Sequence, residues 1–598
     1  MASAPPDDDE MMGKAYDGAI VRRLARFVLP YRRSLGLATV MMLVGALIEL
    51  APPLLLKEAI DGPIADGNPA GVVPIFGMYL LVLLGSFALR YGQNFIVNDV
   101  GQHVMVDIRL TIFRHIQQMS LSFFDRNPVG RLITRITNDV NTLNEFLTQG
   151  TVALLGDLVR LVFVIITMFV LNWRLALISL IMLPAMIATM VIFQRLMRTA
   201  FRRIRKALAM MNAFLNEQIT GVLVTQLFGR EARSRERFAD LSLEYQRAGY
   251  QSLRAYSIFF PVVGFISTAA VAVLFNLGGQ VVLGGLATIG MLVAFVAYIE
   301  QAFQPIRQIA DRYNTLQSAM VSSERIFGIL DTTPEVRDAE LTQPLAQPVR
   351  GAIIFDDVVF GYKPEEQVLK GVSFSIPAGQ AVAVVGATGA GKTSLVSLMA
   401  RFYDIQSGSI TLDGVDIRSV SQRDLRRHIG AVPQDPTCFS GSIRDNIRLH
   451  DTTITDDQVA RAADISGAAR FIEKLPGGYD YEVRERGSNL SVGQRQLLAF
   501  ARALAFNPEV LLILDEATSS VDTETEQLMQ EALDRMLKGR TSVVIAHRLS
   551  TIRNVDRILV LHKGKLVEDG SHDQLLAKQG FYYRLYRLQF ADAVELKP

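Results

Sequence analysis

Cysteine is almost absent. Cys438 is the single one in 598 residues, which excludes an intrachain disulfide and a thiolate metal cluster. A lone thiol of this kind is expected to be a small buried packing residue. Net charge is scarce as well: 61 Lys and Arg against 59 Asp and Glu leave a formal +2, so no global field points to nucleic acid. The N-terminus carries Asp7, Asp8, Asp9 and Glu10, where a secretory signal would place basic residues directly before an apolar core. The first apolar run is therefore expected to stay in place as a membrane span.

Apolar residues are abundant instead. They make up 50% of the chain, with mean hydropathy +0.25, and they crowd into the first half. Six stretches meet the requirement of about 20 residues for a spanning helix: 35–56, 72–88, 152–171, 175–193, 258–282 and 288–302. Arg22, Arg23, Arg26, Arg32 and Arg33 precede the first, and Arg195, Arg198, Arg202, Arg203, Arg205 and Lys206 follow the fourth. The connections after the first, third and fifth carry few cations, such as Lys57 and Arg174. This asymmetry places both chain ends and the long segments 98–150 and 195–254 on the cytoplasmic side. Helical periodicity in those segments reads as membrane helices continuing beyond the bilayer. Ile20, Leu24, Phe27 and Val28 alternate with arginines, as an interfacial helix or the start of the first span would.

Four ionisable residues fall within the expected spans. Asp157 and Arg160, at i and i+3, are expected to pair with one another. Glu49 and Glu300 are candidates for touching a cationic or amphipathic cargo, or for meeting headgroups near span ends. Pro52, Pro53 and Pro184 are expected to kink their helices or to relax them near mobile regions.

The second half alternates short β-like runs with helices, the pattern of an α/β domain. The expected organisation is an acidic tail 1–17, a membrane domain 18–330, a Pro-containing linker 331–350, an α/β domain 351–588 and a tail 589–598. Gly386-Ala387-Thr388-Gly389-Ala390-Gly391-Lys392-Thr393 fits G-x-x-x-x-G-K-[ST], between an apolar strand at 381–385 and a helix opening near Ser394. Glycines let backbone N–H groups turn inward on a phosphate, and the helix N-terminus adds its positive end. Lys392 can then reach the β- and γ-phosphates, and Thr393 can hold Mg²⁺. The apolar run 510–514 ends in Asp515, suited to Mg²⁺, and Glu516, one step further, suited to polarising the attacking water. Gln434 follows another β-like run and His547 follows the strand 542–546. Leu490-Ser491-Val492-Gly493-Gln494 opens the helical run 495–504.

In that order these motifs resemble an ATP-binding-cassette exporter half-transporter over about residues 21–588. The resemblance implies an all-α six-helix transmembrane domain with long cytoplasmic helical extensions, fused to an α/β P-loop nucleotide-binding domain. ATP and Mg²⁺ are the implied cofactors. It implies that Tyr362 stacks on adenine while residues 386–394, Ser394 included, hold the phosphates. Gln434 senses Mg²⁺ and the attacking water, Glu516 is the general base, and His547 contacts the γ-phosphate. Ser491, Gly493 and Gln494 clamp the nucleotide of a second subunit, Asp522 communicates across the pair, and 482–487 touches the membrane-domain helices.

Phe123-Phe124-Asp125 with Gly130-Arg131-Leu132, and Phe228-Gly229-Arg230-Glu231, resemble the family's coupling helices. One departure stands out: Val492 replaces the first glycine of the usual L-S-G-G-Q. It points to a heterodimer with a second half-transporter in preference to a homodimer. The implied function is ATP-driven export of amphipathic small molecules or lipids across a bacterial inner membrane, with the ATPase domain cytoplasmic. Peptides, siderophores or lipid-linked precursors are the alternative cargo. A nucleotide-gated channel or regulator and a soluble ATP-binding mechanochemical protein are the other classes. The absence of a peptidase domain ahead of the first span removes one class of peptide exporters.

Overall fold

A computed structural model describes residues 18–363, 365–506, 508, 510–514, 523–545 and 552–594. The chain divides into two compact units: Met1–Gln117 with Val129–Thr332, and Gln118–Pro128 with Thr333–Pro598.

The first unit is helical throughout. Among the described residues, four helical segments are long and apolar enough to cross a membrane: Gly18–Ile64, Pro69–Gln117, Trp173–Thr220 and Glu231–Leu283. Helices Val152–Leu171 and Ile289–Asp331 occupy the places expected for the third and sixth spans. The expected second span stops at residue 88, whereas the helix runs on to Gln117. Along it the pattern changes. Phe76, Leu80, Leu81, Leu84 and Phe87 are exposed, as a lipid-facing surface is. Beyond them Val97, Val100, Val104, Ile108, Ile112 and Ile116 recur at helical spacing and are buried, so only one face packs.

The prolines open helices in place of kinking their middles. Pro52 and Pro53 stand in the first turn of Ala51–Ala59, and Pro184 in the first turn of Leu183–Thr220, where a missing N–H costs nothing. Pro53 has no donor for the carbonyl of Glu49, four residues back. That carbonyl instead accepts from Gln301 Nε2 at 3.4 Å, and the next one, on Leu50, accepts from the buried Tyr298 hydroxyl at 2.8 Å. Near the N-terminus, helix Gly18–Val28 buries Leu24. Its Arg23 donates two hydrogen bonds to Asp331, at 2.6 and 2.7 Å, and lies 4.1 Å over the Phe327 ring.

The charges within the spans include pairings that sequence spacing does not suggest. Glu49 does not face outward as a free carboxylate. It forms ion pairs with Arg160, 3.1 Å from Nε, and with Arg90. Arg160 thus reaches a residue 111 positions away in sequence, on another helix, which i, i+3 spacing could not reveal. Glu300 is exposed.

The second unit contains two main sheets. Strands β1 (Ile353–Phe360), β2 (Leu369–Ile376), β4 (Ser407–Leu412) and β5 (Val415–Asp416) form an antiparallel sheet in the order β2-β1-β4-β5. The other has six strands, β12 (Lys565–Gly570), β11 (Arg557–His562), β3 (Ala381–Val385), β10 (Thr541–Ile545), β9 (Val510–Leu514) and β6 (Ile429–Val432), in that order. Strands β11, β3, β10, β9 and β6 run parallel, and β12 closes the edge antiparallel. All five residues of β3 are buried, the mark of a central parallel strand. One core joins this region to the loop residue Ala390 and to Leu395, and a separate core gathers Leu490, Leu497 and Phe500 around Val432 and Ile443.

Candidate nucleotide site

Parallel α/β sheets bind ligands beyond the carboxyl ends of their strands, and the expected motifs follow four adjacent strands in the sequence. Loop 386–391 follows β3, Gln434 follows β6, Asp515 and Glu516 follow β9, and His547 follows β10. The register aligns these ends: Ile545 lies opposite both Val384 and Leu514, and Val432 opposite Ile513. Asp515, Glu516, Asp522 and His547 lie outside the described residues.

The loop has the geometry its glycines require. Gly389 and Gly391 take φ of +80° and +101°, a region that a side chain resists. A Cβ on Gly391 would also stand 2.6 Å from Leu369 Cδ2. Gly391 caps helix Lys392–Met399, so the helix N-terminus opens directly onto the loop. Lys392 is 7% exposed, and its Nζ donates to the carbonyls of Gly386 at 2.8 Å and Ala387 at 3.2 Å. The ammonium is thus held in the concave side of the loop, where backbone N–H groups and a helix N-terminus also converge. Thr393 is exposed on the first turn and Ser394 is buried beside it. Tyr362 is 50% exposed, with its hydroxyl 2.9 Å from Ser394 Oγ. The expected adenine contact and the expected phosphate loop therefore already touch.

Gln434 is exposed just past β6. The chain after it is held by Asn446, whose Oδ1 accepts from Phe439 N–H and whose Nδ2 donates to the Phe439 carbonyl, each at 2.8 Å. Arg502 braces this turn, donating to the carbonyls of Asn446 at 2.9 Å and Thr437 at 3.1 Å. Burial pushes the Arg502 pKa down, and those carbonyls are what keep its charge tolerable. Arg502 belongs to helix Val492–Ala505, so the Gln434 segment and the signature helix are tied together. Cys438 is buried in the same turn, and burial pushes its thiol pKa up.

Ser491, Gly493 and Gln494 sit at the N-terminus of that helix, whose apolar residues Leu497, Leu498 and Phe500 belong to the second core and not to the one around the loop. Ser491 Oγ accepts from Gln494 N–H at 3.2 Å, and Gln494 Oε1 accepts from Ser491 N–H at 2.9 Å. This reciprocal cap fixes the helix end. Val492 is the first helical residue, partly buried, and it is not among the non-glycine residues with positive φ. A β-branched side chain is thus accommodated without backbone strain. The segment 482–487 pairs with β7 (Gly441–Ser442) through β8 (Glu482–Val483). It is pinned to the cap because Arg495 donates to the carbonyls of Gly487 at 3.4 Å and Leu490 at 2.9 Å.

The coupling segments need correcting in detail. The first is helix Leu121–Arg126, which groups with the nucleotide-site unit, while Gly130-Arg131-Leu132 belongs to the next helix, Val129–Thr134, in the helical unit. The second helix is Val222–Leu227. Phe228-Gly229-Arg230 forms the turn after it, with Gly229 at φ +58°. Leu223, Leu227 and Phe228 are strongly exposed on this turn.

With this arrangement in place, similarity to known proteins becomes decisive. The ABC transporter transmembrane region family matches residues 35–306, and the ABC transporter family matches residues 369–519. The chain belongs to the ABC transporter family. It is 40% identical to the uncharacterized ABC transporter ATP-binding protein YknV of Bacillus subtilis (strain 168), over 98% of this chain and 97% of that protein. It is 36% identical to the ATP-dependent lipid A-core flippase of Syntrophus aciditrophicus (strain SB), over 96% of this chain and 95% of the flippase. Among solved structures it resembles a bacterial Atm1-family ABC exporter with ATP bound, at TM-score 0.76 and 31% identity, covering 96% of this chain and 99% of that one. This ABC transporter is therefore an ATP-hydrolysing, membrane-embedded exporter. Carrying one membrane domain and one ATPase domain, the transporter needs a second half to dimerise with.

Sequence reasoning missed one functional contact of this ABC transporter. Tyr403 donates to Asp125 Oδ2 at 2.6 Å, linking helix Leu121–Arg126 to the nucleotide-site unit. The triplet Phe123-Phe124-Asp125 was visible in the sequence, but its partner 278 residues away was not.

Proposed function

We propose that ATP binds between loop 386–393 of this chain and the Ser491–Gln494 cap of a second half-transporter, and drives export of amphipathic small molecules or lipids across the bacterial inner membrane. The observation that carries this reading is Lys392, buried and aimed at the loop's own carbonyls beside an open helix N-terminus. A triphosphate in the loop would accept charge-assisted hydrogen bonds from that ammonium. Backbone N–H groups of the loop then hold the β-phosphate, and Tyr362 turns to stack on adenine. Thr393, Gln434 and Asp515 would hold Mg²⁺, which supplies charge neutralisation at the β- and γ-phosphates. Thr393 and Gln434 fit that task, since Thr393 is exposed on the first helical turn after the loop and Gln434 just past β6.

Glu516 holds and polarises the attacking water, taking its proton as the γ-phosphate leaves, and His547 contacts that phosphate. Closure of the pair favours one global state of the membrane helices, and hydrolysis removes the contacts that stabilise it. The ATPase domain is on the cytoplasmic side, as the arginine-rich helix ends require. The cargo class follows from the relatives, which include a lipid A-core flippase, a probable multidrug resistance transporter and a fatty acid transporter.

Val492 supports a second subunit that differs from this chain, because its bulk stands where the partner's γ-phosphate would rest. A homodimer is the second reading, favoured by the helical backbone at Val492 and the intact cap around it. Reconstitution of the purified chain alone, with Mg-ATP and a panel of labelled lipids and dyes, tests both points. ATP-dependent movement of one panel member supports the export reading; ATPase without movement of any lipid or amphiphile contradicts the cargo class. Full transport-coupled ATPase from the single chain removes the heterodimer.

A further inference from the structure

We propose that Tyr403 is the positioning residue that reports nucleotide occupancy to the coupling segment Gln118–Pro128, through a hydroxyl latch between Tyr362 and Ser394. The proposal rests on the reading of loop 386–393 as the ATP site.

Four residues of one compact unit form a continuous series. Ser394 Oγ is 2.9 Å from the Tyr362 hydroxyl. The Tyr362 ring stands edge-on to Tyr403, with centroids 5.1 Å apart and planes at 88°. Phe360 packs against both, at 5.0 Å and 5.8 Å. The Tyr403 hydroxyl then donates to Asp125 Oδ2 at 2.6 Å. Burial, followed by the Asp125 contact, pushes the Tyr403 pKa up, so the hydroxyl keeps the proton it donates.

The surroundings hold Tyr403 in place. Just before it, Arg401 adopts φ +48° with its side chain almost wholly buried. Its guanidinium donates to the carbonyls of Ile417, Val420 and Arg337 and to Asp404. Residues 401–403 therefore form a rigid bracket rather than a loose turn. The coupling segment has two further ties to the unit, Val336 N–H to Ser120 Oγ at 2.9 Å and the Arg126–Glu335 ion pair. Neither of these touches the loop. The Tyr403–Asp125 bond is the tie that does, by way of Tyr362.

The latch must open when nucleotide arrives. Ser394 stands in the first turn of the helix that faces the phosphates, and its hydroxyl has one proton to donate. A phosphate oxygen draws that proton more strongly than a neutral phenol does, whichever hydroxyl donates in the 2.9 Å contact. Tyr362 must swing off Ser394 to lie flat on a base. The swing breaks the contact and withdraws the ring edge on which Tyr403 rests. The Tyr403–Asp125 bond then adjusts, and helix Leu121–Arg126 with it. Edge-to-face aromatic pairs and charge-assisted hydrogen bonds are directional enough to transmit such a change.

The test uses the full-length transporter in lipid nanodiscs, with ATP binding measured by a fluorescent ATP analogue. Hydrogen exchange over residues 121–126 is followed with and without ATP. Tyr362→Phe keeps the stacking ring and removes the latch, so it should bind ATP about fivefold more tightly, the worth of one neutral hydrogen bond. Tyr403→Phe and Asp125→Asn should each bind ATP within about twofold of wild type. In both, the ATP-induced change in exchange over 121–126 should fall about threefold or more, and the double variant should lose no more than either alone. Equal or weaker ATP binding by Tyr362→Phe overturns the latch. An undiminished exchange response in Tyr403→Phe and Asp125→Asn overturns the relay. Wild-type protein that binds no ATP overturns the nucleotide reading beneath both, a separate result.

Discussion

Removing the carboxylate of Glu49 separates two readings of a charge inside the membrane domain. Its oxygens face Arg160 at 3.1 Å and Arg90, and the Glu49 and Arg160 side chains are only 14% and 18% exposed. Glu49→Gln leaves the Arg160 guanidinium largely buried with a neutral amide in place of its counter-ion. Breaking one side of a buried pair costs about 3–5 kcal/mol, and partial exposure puts this pair near the lower end. A loss of about 3 kcal/mol corresponds to a fall of roughly 6 °C in unfolding midpoint for a unit of this size. Arg160→Met should cost a similar amount. The double variant Glu49→Met with Arg160→Met should recover most of it, because two well-packed apolar side chains replace an ion pair at little net cost. Arg90, 56% exposed, can turn outward in either case.

The assay is thermal unfolding of the full chain in lipid nanodiscs, run beside export of a cationic dye. Single variants within about 1 °C of wild type, combined with selective loss of cationic-dye export, would show that Glu49 meets cargo and that its arginine contacts are incidental.

Other residues give sharper but narrower expectations. Gly391→Ala forces a Cβ into a left-handed backbone at φ +101° and to within 2.6 Å of Leu369. With about 1–2 kcal/mol for the backbone alone, ATP should bind at least tenfold more weakly by fluorescence titration. Cys438 is buried, and burial pushes its thiol pKa up, so maleimide at pH 7.5 should label it only once the protein is denatured. His572 has its pKa lowered first by burial and then by Arg553, and its ring nitrogen lies 2.6 Å from the Tyr582 hydroxyl. Because the folded state resists protonation, this contribution to stability is present in full above the ordinary value of 6.5 and is lost as pH falls below it. Amide protection at the start of helix Phe581–Val594, corrected for the pH dependence of intrinsic exchange, should fall between pH 7.5 and 5.5.

What could be read from the sequence was whatever is written locally. The phosphate loop needs left-handed glycines next to a lysine, and those residue types announce it. The membrane helices are long enough for composition alone to betray them, and helical periodicity past residue 98 announced their continuation, which in one helix runs to Gln117. Pairings across large sequence distances were not written locally. Arg160 has an acid three residues away in the sequence and another on a distant helix, and only packing decides that it reaches Glu49. Asp125 and Tyr403 are joined for the same reason. The coupling turns were located to within a few residues, but glycine at 229 drew attention to the turn, and the helix lies just before it. Val492 stood out because glycine is usual there. The structure shows that the position is plainly helical, so any effect must come from side-chain bulk.

The central claim is that ATP turnover at this site moves an amphiphile through the membrane helices. The most direct measurement is ATP-dependent uptake of a fluorescent amphiphile into inside-out vesicles, comparing the wild-type chain with Glu516→Gln after matching their ATP occupancy. The account predicts uptake by the wild type with ATP, none with a non-hydrolysable analogue, and near-complete loss in the variant although it still binds ATP. Uptake by Glu516→Gln at the wild-type rate, or equal uptake with and without hydrolysable nucleotide, would contradict it.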